Sequence, residues 1–462
     1  MKIKYFLMLL ILTLCLFLIG CQPNTNQNDN NNDDNIENND NNVNDDNNQD
    51  NNNNNNNEII EDDTNDNNEN ENNENENNEN ENNENENNEP KQVKLAIDLI
   101  DNHLEIFKNK RVGLITNPTG INSEYKSSID VLYEKVNLVS LFAPEHGIRG
   151  SVEAGGTIGN DTDAVTGLPV FSLYGNTKKP TKAMMDEIDI LCIDIQDAGA
   201  RFYTYIYTMA YAMQACKEYN KKFVVFDRPN PISGEVVEGN ILQKEYSSFI
   251  GLYPIVQRHG MTIGELAMYF NIEEQIFCDL TVIKMENWDR SYYYDDCNLP
   301  WVLPSPNMPT VDTAIVYPGT GIFEGTNLSE GRGTTRPFEL IGAPFINSIE
   351  FAEQLNSLQL DGVYFRPASF TPTTSKHENT QCFGVQVHVT DRSTFDAVKT
   401  GWAMLDVVRK LYPNDLEWTS TINLITGCGY IKSGLYDLQR QFEIIDNDTN
   451  KFNNKRIKYL LY

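Results

Sequence analysis

From residue 22 to residue 90 the chain is almost wholly Asn, Asp and Glu, built on repeats of Glu-Asn-Asn-Glu-Asn, with 22 acids and no Lys or Arg. Such a stretch has nothing to bury, so it reads as disordered, and any fold must come from residues 91–462. Like charges along it repel and extend it, which suits a tether over 21–90. An acidic metal-binding tract is the other use for such a composition. Most of the formal net charge of −31 belongs to this stretch, so acidity says little about the partners of the folded part.

Ahead of the tether, Met1-Lys2-Ile3-Lys4 precedes an apolar run from Tyr5 to Ile19. A charged start followed by a short apolar core is the pattern of a secretory signal, here residues 1–20. The run is short for a membrane-spanning helix. It ends in Leu18-Ile19-Gly20-Cys21, which resembles the lipobox of bacterial lipoproteins, with Cys21 as the lipidated residue. The expected location is therefore exported and lipid-anchored on the extracytoplasmic face of the cell membrane. An ordinary cleaved signal or a single anchor helix are the alternatives.

The remaining 372 residues suffice for one large domain and a smaller one. No basic cluster occurs, which argues against nucleic acid as a partner. Of eight cysteines, Cys192, Cys216, Cys278, Cys297, Cys382 and Cys428 are widely spaced in the folded part, without Cys-x-x-Cys. Cys192, inside an apolar strand, reads as a buried thiol.

Short apolar runs alternate with helical patterns. Strands are expected at 111–116, 138–143, 169–173, 188–195, 222–226 and 280–285. Helices are expected at 127–135, 181–187, 204–219 and 263–270. Nearly continuous apolar strands between helices point to a parallel sheet covered on both faces. The pattern changes near residue 300. Four prolines from Pro300 to Pro309 and a Gly-rich run over 319–333 read as a long polar loop, followed by a half-exposed strand at 384–390 and an amphipathic helix at 395–411. The fold class is thus α/β, with a Rossmann-like, mostly parallel sheet domain over 91–300 and a smaller α+β domain over 301–462.

In open parallel sheets, ligands bind beyond the carboxyl ends of the strands. Four successive strand ends carry polar turns: Asn117-Pro-Thr-Gly120, Pro144-Glu-His-Gly-Ile-Arg149, Gln196-Asp197 followed by Arg201, Tyr203 and Tyr205, and Asp227-Arg-Pro-Asn-Pro231. Together they suggest one cleft. A Gly-x-Ser-x-Gly elbow, a Walker loop, a dinucleotide Gly-x-Gly-x-x-Gly and His-Glu-x-x-His are all missing from the sequence. No cofactor and no metal is expected. Carboxylates among amides and aromatics suit glycoside chemistry, in which an acid protonates the leaving oxygen and a second group supports an oxocarbenium-like state. Glu145, following an apolar strand, is the best acid; a turn salt bridge is its plainer use. His146 is its candidate catalytic neighbour, or a structural imidazole. Asn117, Arg149, Asp197, Arg201, Tyr203, Asp227, Arg228 and Asn230 are the candidate substrate-binding residues of these turns. The three arginines either pair with Asp194, Asp197 or Asp227, or present a free fork to a substrate carboxylate. From the Pro- and Gly-rich segment, Asn307, Glu324, Asn327, Glu330 and Arg332 join them as a cleft wall, the alternative being a solvated loop.

These residues sit in longer motifs. Gly113-Leu-Ile-Thr-Asn-Pro-Thr-Gly-Ile121, Pro144-Glu-His-Gly147, Ser172-Leu-Tyr-Gly175, Asp194-Ile-Gln-Asp197, Gly199-Ala-Arg-Phe-Tyr-Thr-Tyr205, Asp227-Arg-Pro-Asn-Pro231, Gly260-Met-Thr-Ile-Gly-Glu-Leu266, Pro304-Ser-Pro-Asn-Met-Pro309, Glu324-Gly-Thr-Asn-Leu-Ser-Glu-Gly-Arg332 and Phe370-Thr-Pro-Thr373 occur in order. Over 94–462 the chain resembles the NamZ family of exo-β-N-acetylmuramidases. The resemblance implies a Rossmann-like catalytic domain and a smaller C-terminal domain. It implies release of N-acetylmuramic acid (MurNAc) from non-reducing ends of β-1,4-linked peptidoglycan fragments, and it places the suspected catalytic glutamate at Glu145. A non-catalytic muropeptide-binding surface lipoprotein is the alternative from another class. One departure stands out: Ala154-Gly155-Gly156 replaces an expected Ala-Gly-Glu. Glu153, Asp161 or Asp163 are candidates to replace that glutamate, the substrate's own acetamido oxygen is another, and a residue elsewhere in the chain is the remaining alternative.

Overall fold

The computed structural model describes residues 92–149 and 161–462. The signal segment, Cys21, the tether and the Ala154-Gly155-Gly156 departure with Glu153 lie outside the described residues.

A seven-stranded sheet is built from β1 (Val112–Thr116), β2 (Leu138–Ala143), β3 (Asp161–Thr162), β4 (Pro169–Ser172), β5 (Ile190–Asp194), β6 (Lys222–Phe226) and β7 (Asp279–Ile283). Its order is β3-β4-β2-β1-β5-β6-β7. All neighbours run parallel except β3, which lies antiparallel to β4 at the edge. Alternate residues of each strand face opposite sides. Ile115, Phe142, Leu191, Ile193 and Phe223 enter one apolar cluster; Leu114, Leu141, Cys192, Val224 and Phe226 enter the other. The first is covered by α3 (Tyr205–Glu218) and α4 (Ile263–Glu273), the second by α1 (Ser128–Lys135) and a 3-10 helix at Ala96–Ile106. Two covered faces explain why β1 and β5 are buried at every position. A short α2 (Lys182–Asp186) leads into β5.

From β1 the chain winds outward through β2 and β4. It then returns to β5 on the other side of β1 and continues to β6 and β7. The order reverses between β1 and β5, which opens a crevice beyond their carboxyl ends.

The later part holds α5 (Val311–Thr320), β8 (Leu340–Ala343), α6 (Ser348–Ser357), β9 (Val363–Phe370), β10 (Cys382–Val389), α7 (Ala397–Leu411), α8 (Ile422–Thr426), α9 (Tyr430–Ser433) and α10 (Leu438–Arg456). Strands β8, β10 and β9 form an antiparallel sheet in that order. Here the sequence expectation needs correction. Between the two runs read as polar loop, 310–318 carries no expected element, yet the chain is helical over 311–320, and the Gly-rich run begins inside that helix and continues as a 3-10 helix over Gly321–Gly325. Thr310 caps α5, its hydroxyl accepting from the Thr313 amide at 3.2 Å, and α5 packs on α7. Its glycine, read as a loop marker, is a packing residue: a Cβ on Gly319 would lie 1.8 Å from the Ala397 carbonyl oxygen, and one on Gly401 2.2 Å from that of Gly319. Tertiary approach has overridden local propensity.

The chain end closes against the first sheet. Tyr462 donates its hydroxyl to Asp227 at 2.8 Å, and the Leu461 amide donates to Glu265 at 2.8 Å. The six cysteines of the folded part are free and buried.

Candidate active site

The strand ends are tied to one another before they present anything outward. Thr116 donates to the Asp194 carbonyl at 2.8 Å, joining β1 to β5. The Asn117 side-chain oxygen accepts from the Thr119 amide at 3.0 Å and hydroxyl at 2.5 Å, and Thr119 in turn accepts from the Gln196 amide at 2.9 Å. Gln196 donates to the Pro229 carbonyl at 2.8 Å, reaching the end of β6. Asn230 braces the same turn, donating to the Met261 carbonyl at 3.0 Å and accepting from the Ile232 amide at 3.1 Å.

Several polar candidates lie in this supporting layer. Arg228 makes a buried fork to Asp194, at 2.5 and 2.9 Å, and donates to the Ile121 carbonyl at 2.6 Å. Arg201 is wholly buried and donates to the carbonyls of Asn240, Ile255, Ile425 and Thr426 at 2.7–3.3 Å. Asp227 sits at the start of α4, accepting from the Gly264 amide and the Thr262 hydroxyl, each at 2.8 Å. Burial, with the Glu265 charge nearby, raises its carboxyl to about 7. Asp197 accepts from the Gly199 amide at 2.8 Å and lies 3.3 Å from His259 Nε2. Arg149 grips Asp163 at 2.6 and 3.0 Å and reaches Asp130 at 3.3 Å. That ion pair, the largest influence, holds the Asp163 carboxyl well below the usual range, and Thr166 donates to it as well. Asp163 is therefore occupied as an anion rather than available as a replacement acid.

Glu145 is placed differently. Strand β2 ends at Ala143, Pro144 follows, and His146 and Gly147 both adopt left-handed backbone, at φ 75° and 76°. A non-glycine residue there is uncommon and strained, so the corner is held by its surroundings. The Gly147 amide closes the turn onto the Pro144 carbonyl at 3.2 Å. Half-buried Glu145 accepts from the Thr204 hydroxyl at 3.2 Å. Tyr174, beyond the end of β4, lies beside it; burial first, and then the Glu145 charge, push that phenol up to about 12.

Glu145, His146, Tyr174, Tyr203, Tyr317, Glu324 and Arg332 line one cavity of about 230 Å³, with Phe202, Thr204, Tyr205, Phe249, Ile250 and Ser305 completing its wall. This is room for a single sugar ring rather than a chain. Tyr203 meets Tyr205 edge-on at 4.9 Å between centroids and Tyr317 at 6.1 Å. Burial raises the phenols of Tyr203 and Tyr317 well above their ordinary value. Tyr205 donates to the Pro304 carbonyl at 2.6 Å, pinning the later segment over the sheet's end.

That segment brings a second carboxylate. Arg332 donates to Glu324 at 2.5 Å and contacts Glu330 at 3.2 Å, and Lys376 contacts Glu330 at 2.8 Å. Burial pushes the Glu324 carboxyl up, and the Arg332 guanidinium opposes the shift. Asn327 supports the loop, donating to the Asp415 carbonyl at 2.8 Å and accepting from the Glu417 amide at 3.0 Å. Asn307 and Arg332 line a larger adjoining recess.

Of the residues singled out from sequence, the structure thus gathers Glu145, His146, Tyr203, Glu324 and Arg332 around one cavity. It sets Asn117, Asp197, Arg201, Asp227, Arg228 and Asn230 in the framework beneath, and Arg149, Asn327 and Glu330 in flanking supports. Sequence reasoning missed Tyr174, Thr204 and Tyr317. Tyr174 follows a strand, so the strand-end rule would have found it; Tyr317 lies on α5, a helix that the sequence pattern does not announce. Among the described residues, no three His, Cys, Asp or Glu side chains converge to hold a metal.

Sequence models of the exo-β-N-acetylmuramidase NamZ match here in two parts, the N-terminal one over 112–312 and the C-terminal one over 315–462. The peptidoglycan β-N-acetylmuramidase NamZ of Bacillus subtilis is 55% identical over 379 residues, covering 80% of this chain and 92% of that one. Two crystal structures of DUF1343 family proteins from Bacteroides fragilis share the fold. One has a TM-score of 0.75 at 38% identity and the other 0.65 at 32%, each covering 80% of this chain and 99% of its own. The matches span both sheets and every wall of the cavity, and the chain belongs to the NamZ family.

Proposed function

We propose that this protein releases MurNAc from the non-reducing end of β-1,4-linked peptidoglycan fragments, as an exo-acting glycosidase of cell-wall turnover. The observation that carries this reading is the pair of carboxylates, Glu145 and Glu324, facing one ring-sized cavity in a chain of this family. Glu145 serves as the proton donor to the glycosidic oxygen. As the bond from C1 to that oxygen breaks, positive charge grows on the sugar ring, and the Glu324 carboxylate held by Arg332 supports it. A water then adds its oxygen to C1, and the proton it gives up replaces the one that Glu145 passed to the leaving oxygen, completing hydrolysis and restoring the acid. Tyr203 and Tyr317 line the space the ring takes, and its small volume limits entry to a chain end. The same reading places the enzyme outside the cytoplasm, anchored through a lipid on Cys21 and held off the membrane by the 21–90 tether.

Mass-spectrometric detection of free MurNAc tests this. The full-length protein is incubated with the disaccharide MurNAc-GlcNAc beside Glu145→Gln. Release by the wild type, reduced by about 100-fold or more in the variant, is the expected result. Unchanged release in the variant removes Glu145 from the chemistry. No release by the wild type, with the disaccharide still bound, leaves a muropeptide-binding protein instead.

A further inference from the structure

Beside the ring-sized cavity lies a recess of about 1110 Å³, bounded by the 306–307 turn, the 332–335 loop and the 369–375 segment. The two spaces lie side by side. Arg332 lines both, and the short 304–309 loop gives Ser305 to the inner one and Pro306 and Asn307 to the outer. The walls of the recess are stitched together rather than merely adjacent. The Gly333 carbonyl accepts from both the amide and the hydroxyl of Thr373, each at 2.9 Å. Gly333 itself is left-handed at φ 77°, and a Cβ there would lie 2.5 Å from the Thr374 nitrogen, so only glycine permits this join.

The lining has a marked chemistry. Arg332 is its one charged side chain among the described residues, and that charge is already matched by Glu324 and Glu330. The rest is hydroxyls from Thr and Ser, the Asn307 amide, Gly333, and the apolar surfaces of Pro306, Leu340 and a half-buried Phe370. Uncharged hydrogen-bonding groups around one aromatic face match a neutral sugar, whose hydroxyls bond to the former and whose C–H face lies on the latter. A stem peptide would bring carboxylates for which this recess holds no uncommitted cation. The Phe370-Thr-Pro-Thr373 motif, which nothing in the hydrolytic step uses, is the part of the chain that builds this wall.

We propose that the recess binds the reducing-side continuation of the glycan, so that the second and later sugars of a longer strand lie past Arg332 while the terminal MurNAc occupies the inner cavity. This rests on the hydrolase reading above and extends it, making the enzyme selective for strand length. Longer peptide-free strands would be held mainly through a lower KM.

The test compares initial MurNAc release by the full-length protein from the disaccharide and from a peptide-free hexasaccharide with MurNAc at its non-reducing end. Wild type is expected to show kcat/KM about tenfold higher on the hexasaccharide, a ratio that falls to about one in Thr335→Trp and in Phe370→Ala. Thr335 is exposed, so the tryptophan fills the recess without entering the core, and it keeps the test valid if Phe370→Ala fails to fold. A wild-type ratio near one, or a ratio unmoved in Thr335→Trp, overturns the proposal. If neither substrate yields MurNAc, the hydrolase reading fails separately, and calorimetric titration of the hexasaccharide decides the recess. Affinity about tenfold weaker in Thr335→Trp than in wild type supports it, and equal affinity, or no binding to either, overturns it.

Discussion

Pro144 and the two left-handed residues after Glu145 reverse the chain at the end of β2, so Glu145 faces inward where a longer loop would carry it into solvent. Around it, single side chains divide into those that face the cavity and those that hold it up, and the division follows their hydrogen bonds. Arg201 shows the second kind. Its guanidinium serves four carbonyls, those of Asn240 and Ile255 and those of Ile425 and Thr426 at the end of α8. Arg201→Met is expected to strand those carbonyls and to lower stability by about 3 kcal/mol, read as a shift of the urea midpoint. A shift under roughly a third of that size would mean that water replaces the guanidinium cheaply.

Helix α4 depends on a carboxyl that burial disfavours as an anion. Asp227 holds the first turn of α4 through Thr262 and Gly264 while the Glu265 carboxylate and the Tyr462 hydroxyl lie against it. Its folded value of about 7 lies above that of an unfolded aspartate, so the fold binds more protons in between. Stability from this group is present at low pH and is lost as pH rises toward 7. Melting midpoints at pH 5 and pH 8 should therefore differ more in the wild type than in Asp227→Asn; an equal difference in both would show that Asp227 does not titrate there. The crossing of α5 and α7 is a second dependence at this scale. Gly401→Val forces the helices apart, and α5 runs directly into the turn bearing Glu324. A loss of at least about 2 kcal/mol in stability is expected. MurNAc release should fall with it even in the folded fraction, although residue 401 does not line the cavity.

Over the whole molecule, the cavity belongs to neither sheet alone. The first sheet supplies Glu145, Tyr174 and Tyr203, and the segment leading to the second supplies Tyr317, Glu324 and Arg332. The family models likewise span both parts. All the described residues of the cavity come from positions after 144. Removing residues 1–91 is expected to leave the rate on soluble MurNAc-GlcNAc within about twofold of the full chain, since every described cavity residue is kept. Cys21→Ala in cells should move the protein from the membrane fraction to the soluble one with its activity intact. Retention at the membrane would mean that something other than a lipid on Cys21 holds it.

The parallel sheet was legible because burial on both faces writes itself as unbroken apolar runs, and the strand ends were legible because polar, Pro- and Gly-bearing turns interrupt those runs. Glu145 could be found from that pattern and from the Pro-Glu-His-Gly motif together. The sequence could not show which of the polar turn residues face the cavity. Arg201, Arg228 and Asp227 carry the same chemistry in one dimension as Arg332 and Glu324. Only the folded chain decides that the first three are consumed by carbonyls, by Asp194 and by a helix start, while the last two line the open space. Nor could it show α5, because Gly319 and Pro318 argue locally for a loop and are outweighed by a helix crossing that forms only once Gly401, some eighty residues on, has come into contact. What the sequence determines by itself is whatever depends on neighbours along the chain. What tertiary structure decides is whatever depends on which distant group satisfies a buried charge or fills the space beside a missing side chain.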